Sequence, residues 1–232
     1  SPEYKEVFKD SYNLMRHANG SYTMLVEYHA TPYGLNISEF KPGSAGAHSG
    51  NMPTVFTSKS RNAIVDFVRD ELRNNMYKHK PNTKHLFEGG KEVKDVQLYA
   101  LATKNAKPFE YHNVTHVKKL MDYLKENPEL VKEKQPNWTL EDIEHSVKRG
   151  DWGTIEKYLW EMKEWGFDSA LTSEFGGSTA HFYPENIYSI NDFKPKSREI
   201  TELHGMLDMG GVLPIFKRAF EKMKKGGLAS KK

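Results

Sequence analysis

Two histidine pairs are the first residues whose type and spacing could do chemistry. His112 and His116 stand four apart, a spacing that puts two ring nitrogens on one helix face and suits a metal ion. The intervening Asn113-Val114-Thr115 lacks the Glu of a zinc-protease helix. Asn113 or Thr115 is also a ready helix cap, so His112 is expected to fall outside the helix. His79 and His85 lie among Lys78, Lys80 and Lys84, whose charges oppose a cation. No metal site is expected. Gly176-Gly177-Ser178 reads as a turn and lacks the Gly-x-Ser-x-Gly elbow of a serine nucleophile. Walker A and Gly-x-Gly-x-x-Gly patterns are absent, so the common nucleotide cradles are excluded. With no cysteine, thiolate catalysis, disulfides and Cys-ligated metals are excluded too.

The elements that must position any site follow from periodicity. Residues 3–16 read as a short helix with Tyr4, Val7, Phe8 and Tyr12 on one side, ended by Asn19-Gly20. Residues 22–29 are a mostly apolar run, read as a central strand. A Gly/Ser/Pro-rich loop spans Thr31–Asn51, and a second strand covers residues 53–57. Ser60 then caps a helix carrying Ile64, Val65, Val68 and Leu72. A polar loop over 76–92 precedes a third strand, Val96–Leu101. Three helices follow, the first over about 114–126 with Val117, Leu120, Met121 and Leu124 inward. The second runs from a Thr139/Asp142 capping pair to Gly150, the third from Asp151 to Gly166 with Ile155, Tyr158, Leu159 and Met162. Strand signals return at Phe167–Thr172 and Thr179–Tyr183, and two helices, 197–209 and 212–225, close the chain. Two strand clusters with helices between them define an α+β chain.

Composition narrows the class further. The 232 residues are 37% hydrophobic and 12% aromatic, which suits a folded, water-facing protein rather than a disordered one. No stretch approaches the length of a membrane span. The start, Ser1-Pro2-Glu3-Tyr4, has neither a methionine nor a basic-then-apolar signal and reads as a processed or cut fragment. The net charge is +3, but residues 212–232 alone hold seven basic side chains and one acid. The rest is near neutral and does not resemble a general nucleic-acid binder. Leu213, Phe216, Phe220 and Met223 form a stripe flanked by Lys217, Arg218, Lys222, Lys224 and Lys225. That end is expected either to dock on the domain or to contact anionic membrane or nucleic acid.

Five segments in order carry the most information. They are Tyr28-His29-Ala30-Thr31-Pro32 with Ile37-Ser38-Glu39-Phe40, then Val55-Phe56-Thr57-Ser58 running into a helix. Leu98-Tyr99-Ala100-Leu101 with Lys104–Phe109 follows, then Trp165–Ala170, and finally His181–Ile187. In this order the chain resembles the ADP-ribosyltransferase-like domains of phage polyvalent and head-morphogenesis proteins, over roughly residues 22–192. Those domains show "YHGT", "F..F", "YFT", "YL…KNP", "GYDG" and "YVVFDPEQI".

The resemblance implies a split two-sheet core with inserted helices over residues 1–195 and a C-terminal helical annex over 196–232. It also implies NAD as substrate, in host cytoplasm or virion. Breaking the bond to nicotinamide leaves an oxocarbenium-like ribose, which requires rigid holding of ribose and nicotinamide and nearby negative charge. His29 matches the ribose histidine. Ala30 stands where Gly is usual, its backbone facing the nicotinamide amide. Thr57 and Ser58 match the polar end of the second strand, and Phe67 matches a second aromatic. Two positions depart from the pattern. Val55 replaces a stacking Tyr, and alignment on Pro184 puts Ser178 or Thr179 where the catalytic Glu belongs, leaving Glu174 as the substitute acid. Asp168 is expected to be a turn residue that holds backbone.

The function this implies is a phage-type, NAD-dependent ADP-ribosyltransferase that modifies a host protein or nucleic acid and is delivered with the virion. The alternative is a catalytically degenerate version of the fold, serving as a structural or interaction module with virion proteins as partners.

Overall fold

The computed structural model describes residues 7–20, 22–35, 52–79 and 83–189. The expected helices at 197–209 and 212–225, the annex and basic end they form, and most of the Thr31–Asn51 loop lie outside the described residues.

The chain enters through a short antiparallel hairpin, β1 (Leu14–Arg16) with β2 (Tyr22–Met24), turned at Gly20 with φ +74°. The helix expected over residues 3–16 therefore does not form at 14–16. The apolar spacing suited a helix, but tertiary bonds claim the local polar groups. Ser11 Oγ donates to the Thr103 carbonyl at 2.5 Å and the Tyr12 amide to that of Asn105 at 2.6 Å. The run 22–29 is likewise two strands: the Leu25 amide bonds the Asn13 carbonyl at 2.8 Å, and the chain then starts β3 (Glu27–Pro32) in another sheet.

That second sheet holds β3, β4 (Val55–Ser58), β5 (Val96–Thr103), β6 (Pro108–Phe109), β7 (Ser169–Thr172), β8 (Ser178–His181) and β9 (Ile187–Ser189). Its order is β6-β7-β8-β4-β3-β5-β9, antiparallel except for β6 beside β7. β3 shares six paired positions with β5, and β4 shares four with β8. Between β3 and β4 there is one, Tyr28 opposite Ser58. The sheet is thus two halves joined at a single rung, β3-β5-β9 and β4-β8-β7-β6.

Helix α1 (Arg61–Arg73) begins where Ser60 accepts the Ala63 amide at 3.3 Å. Its buried Ile64, Val68 and Leu72 pack with Tyr28 and Ala30 of β3 and with Phe8, Met24 and Ala102. The residues expected as loop over 76–92 form 3-10 turns at Met76–His79 and Lys84–Gly90. A second core joins α2 (Val114–Glu126), α3 (Pro128–Lys134), α4 (Leu140–Lys148), α5 (Trp152–Ile155) and α6 (Leu159–Glu164) to Phe109, Ala170 and Phe182. All four inward residues expected on α2 are buried, and the Thr139/Asp142 capping box is complete. The helix expected from Asp151 to Gly166 divides at a 3-10 turn, Glu156–Tyr158. Helix α3, which the sequence reading did not include, has Pro128 in its first turn, where no amide hydrogen is needed.

Candidate functional site

Side chains alternate along strands, so Glu27, His29 and Thr31 share one face of β3, as do Val55 and Thr57 of β4 and Thr179 and His181 of β8. Glu27 is 1% exposed, and four donors converge on its carboxylate. Oε1 accepts from Thr179 Oγ1 at 2.8 Å and Asn13 Nδ2 at 3.2 Å. Oε2 accepts from Thr57 Oγ1 at 2.7 Å and lies 2.8 Å from His181 Nε2. Thr57 Oγ1 is itself 2.8 Å from His181 Nε2, while Asn105 bonds the other ring nitrogen. Asn186 donates to Asn105 Oδ1 at 3.2 Å, orienting that amide. Burial, the largest influence, pushes the Glu27 carboxyl up. The charge of His181 and the bonds from His181, Thr57 and Thr179 together outweigh it and hold the carboxyl at about 2. A buried carboxylate is tolerated only when its oxygens are saturated with hydrogen bonds, and the four donors on Glu27 meet that condition.

His29 stands two residues further, partly buried, where β3 and β4 diverge. Its Nδ1 lies 2.8 Å from the Phe56 carbonyl. A carbonyl only accepts, so Nδ1 carries the proton. Burial first, opposed by that bond and seconded by His181, lowers the His29 pKa and favours the neutral ring. A neutral ring protonated at Nδ1 presents Nε2 as an acceptor. Thr31, next on this face, is buried with an Oγ1 that has no hydrogen-bond partner among the described residues.

The other sequence-expected residues gather elsewhere. Ser58 points away from Thr57, and its Oγ donates to the Phe175 carbonyl at 2.7 Å and the Ser60 carbonyl at 3.1 Å. Phe67 is 37% exposed and packs on Phe175, ring centroids 4.6 Å apart. Phe175 also meets Phe56 edge-on, and Phe56 meets Trp152. Glu174 opens the 3-10 turn between β7 and β8, and its carboxyl is pushed up by burial, then by Asp151 and Glu156. Glu174 therefore shares the environment of the helical layer, with Ser58 and Phe67, while His29 and Thr57 lie on the opposite face of the strands. Ala30 is buried against α1 and pairs with Leu98. Strand alternation alone forbids adjacent His29 and Ala30, or Thr57 and Ser58, from lining one site through their side chains.

Val55 sits in an apolar cluster with Leu101 and Ile187, bordered by Tyr99. Asp168 accepts the amides of Ala106 and Lys107 at 2.7 and 2.9 Å, holding the β5–β6 loop to the start of β7. His116 accepts the Glu110 amide at 3.0 Å, and His112 precedes the Asn113 cap, outside α2. Among the described residues no group of His, Asp and Glu is arranged to hold a metal. Among them, too, no helix is long and apolar enough to cross a membrane.

Sequence reasoning missed Glu27, Asn13, Asn105 and His181. The available signal was an acid inside the apolar run Tyr22–His29, since a carboxylate on a central strand requires partners. Comparison of the chain with protein-family models, curated proteins and solved structures gives no match.

Proposed function

We propose that this chain is a phage-type NAD-dependent ADP-ribosyltransferase, with an ADP-ribosyltransferase-like core, that modifies a host macromolecule. The observation that carries this reading is His29, fixed through Nδ1 at the point where the two half-sheets part. Its Nε2 is an acceptor suited to a ribose hydroxyl. The single rung between β3 and β4 supports the split core, and the buried hydroxyl of Thr31, which has no partner among the described residues, adds a polar group along the same face.

In the reaction, the bond between ribose C1′ and nicotinamide nitrogen breaks and nicotinamide leaves with the electron pair. The acceptor's lone pair then bonds C1′ and its proton passes to solvent. A cationic sugar gains from fixed negative charge in a water-poor site. Glu27 holds such a charge two residues from His29, whereas Glu174, the acid that the resemblance offers, lies with the helical layer across the strands from His29.

A second reading, a degenerate fold acting as a virion interaction module, is favoured by one observation. Alignment on Pro184 puts Ser178 or Thr179 where the family's Glu belongs, and both hydroxyls are committed, Ser178 to the Glu174 carbonyl at 2.8 Å and Thr179 to Glu27, whose four donors leave it saturated.

Ligand-observed NMR with NAD separates the two. Binding that disappears in His29→Ala supports the transferase reading, and nicotinamide release that is unchanged in Glu174→Gln excludes that carboxyl from the reaction. Absence of binding at millimolar NAD leaves the interaction module.

A further inference from the structure

The near-neutral body conceals a local asymmetry. A groove of about 700 Å³ runs between the C-terminal half of α1 and the segment leading into β5. Five cations line it, Arg69, Arg73, Lys78, Lys91 and Lys94, against one carboxylate, Glu92. Its floor is apolar, formed by Leu72, Phe87 and Val93, with Phe87 half-buried against the α1 core. Arg69 and Arg73 are one helical turn apart, about 6 Å along the axis.

The existing ion pairs do not neutralise this rim. Arg69 meets Asp66 at 3.4 Å, Arg73 meets Asp70 at 2.8 Å and Lys94 meets Glu92 at 3.1 Å, every partner more than half exposed. Such pairs contribute little and exchange readily for another anion. Lys78 and Lys91 form no ion pair among the described residues.

We propose that this groove binds a single nucleic-acid strand, with phosphates along the cationic rim and a base against Phe87. A compact anion would call for donors converging on one point, whereas these cations are spread along an open groove. Arginine forks match phosphate oxygens, and an aromatic floor takes the face of any base, which together give sequence-tolerant single-strand binding. An acidic peptide fits the charge but leaves the aromatic floor without a stacking partner. The inference is independent of the NAD reading and of the basic end at residues 212–232.

The test is fluorescence anisotropy of a labelled oligothymidylate against the full chain across a salt series. The variants are Lys78→Glu with Lys91→Glu, and Phe87→Leu, which keeps apolar packing but removes the ring. Lys222→Glu with Lys224→Glu and Lys225→Glu controls for the basic end, and circular dichroism checks folding. The groove charge variant is expected to weaken binding by about tenfold or more and to flatten the slope of log affinity on log salt by about 1.4. Phe87→Leu should weaken the oligonucleotide roughly tenfold while leaving the slope in place. Unchanged affinity in the groove charge variant overturns the proposal, as does loss of binding through the tail variant alone. Equal affinity for poly-glutamate, insensitive to Phe87→Leu, overturns the nucleic-acid assignment in favour of an acidic protein.

Discussion

Glu27 concentrates the electrostatics of this protein on one side chain. Its carboxyl titrates near 2 in the folded chain against 4.5 in an ordinary setting, so its ionised form is stabilised by folding. That contribution is present above pH 4.5 and is lost as pH falls towards 2, on the order of 3 kcal/mol in all. Acid titration of unfolding free energy should therefore show a loss in this window that Glu27→Gln removes; an identical acid limb in the variant would refute the linkage. Glu27→Ala, which leaves His181, Thr57 and Thr179 facing an unfilled space, should cost about 3–5 kcal/mol by denaturant unfolding. Glu174 has the opposite sign. Burial and then Asp151 and Glu156 raise its pKa, so its ionised form is disfavoured in the fold and its contribution is lost as pH rises. Glu174→Gln should raise the melting temperature at pH 7 and leave it unchanged at pH 4. An equal shift at both pH values would assign the effect to packing rather than charge.

At the scale of elements, local sequence and tertiary contact divide the work unevenly. Helices α2 and α4 carry their own instructions: an apolar stripe, a cap at Asn113 and a capping box at Thr139. Asn113→Ala should cost about 1 kcal/mol, because its side chain accepts the amides of Thr115 and His116. Gly150 ends α4, its amide donating to the Val147 carbonyl at 2.8 Å, and also couples that end to another element. It sits at φ +74°, and an added Cβ would lie 2.7 Å from the Ser173 amide nitrogen, while that amide donates to the Gly150 carbonyl at 2.9 Å. Gly150→Ala should cost roughly 2–3 kcal/mol by chemical denaturation, since the backbone that must shift joins α4 to the end of β7. A neutral Gly150→Ala would show that this junction yields freely. Strand β1 and the two-residue β6 carry no such instructions. The first spends its flanking polar groups on β5, and the second exists only because β7, some sixty residues later, lies beside it.

In the whole molecule, two half-sheets meet at one backbone rung, and the Glu27 network spans the same junction with side chains. Glu27 comes from one half and Thr57, Thr179 and His181 from the other. The mixed α+β class, the start of α1, the boundaries of α2 and α4, and the core positions Ile64, Val68, Leu72, Val117, Leu120, Met121 and Leu124 were determined by the sequence alone, while Val65, expected with them, is only half-buried. Those features depend on neighbours within one or two turns, where periodicity and caps act directly. Only the tertiary structure decided that residues 14–16 extend, that the run 22–29 divides between two sheets, and that the candidate site residues fall on two faces. The partner of Glu27 also belongs to that level, because His181 lies 154 positions away in the chain. A buried acid declares from the sequence that it needs partners. Which partners answer is settled by strand order and register, and these depend on contacts between distant segments.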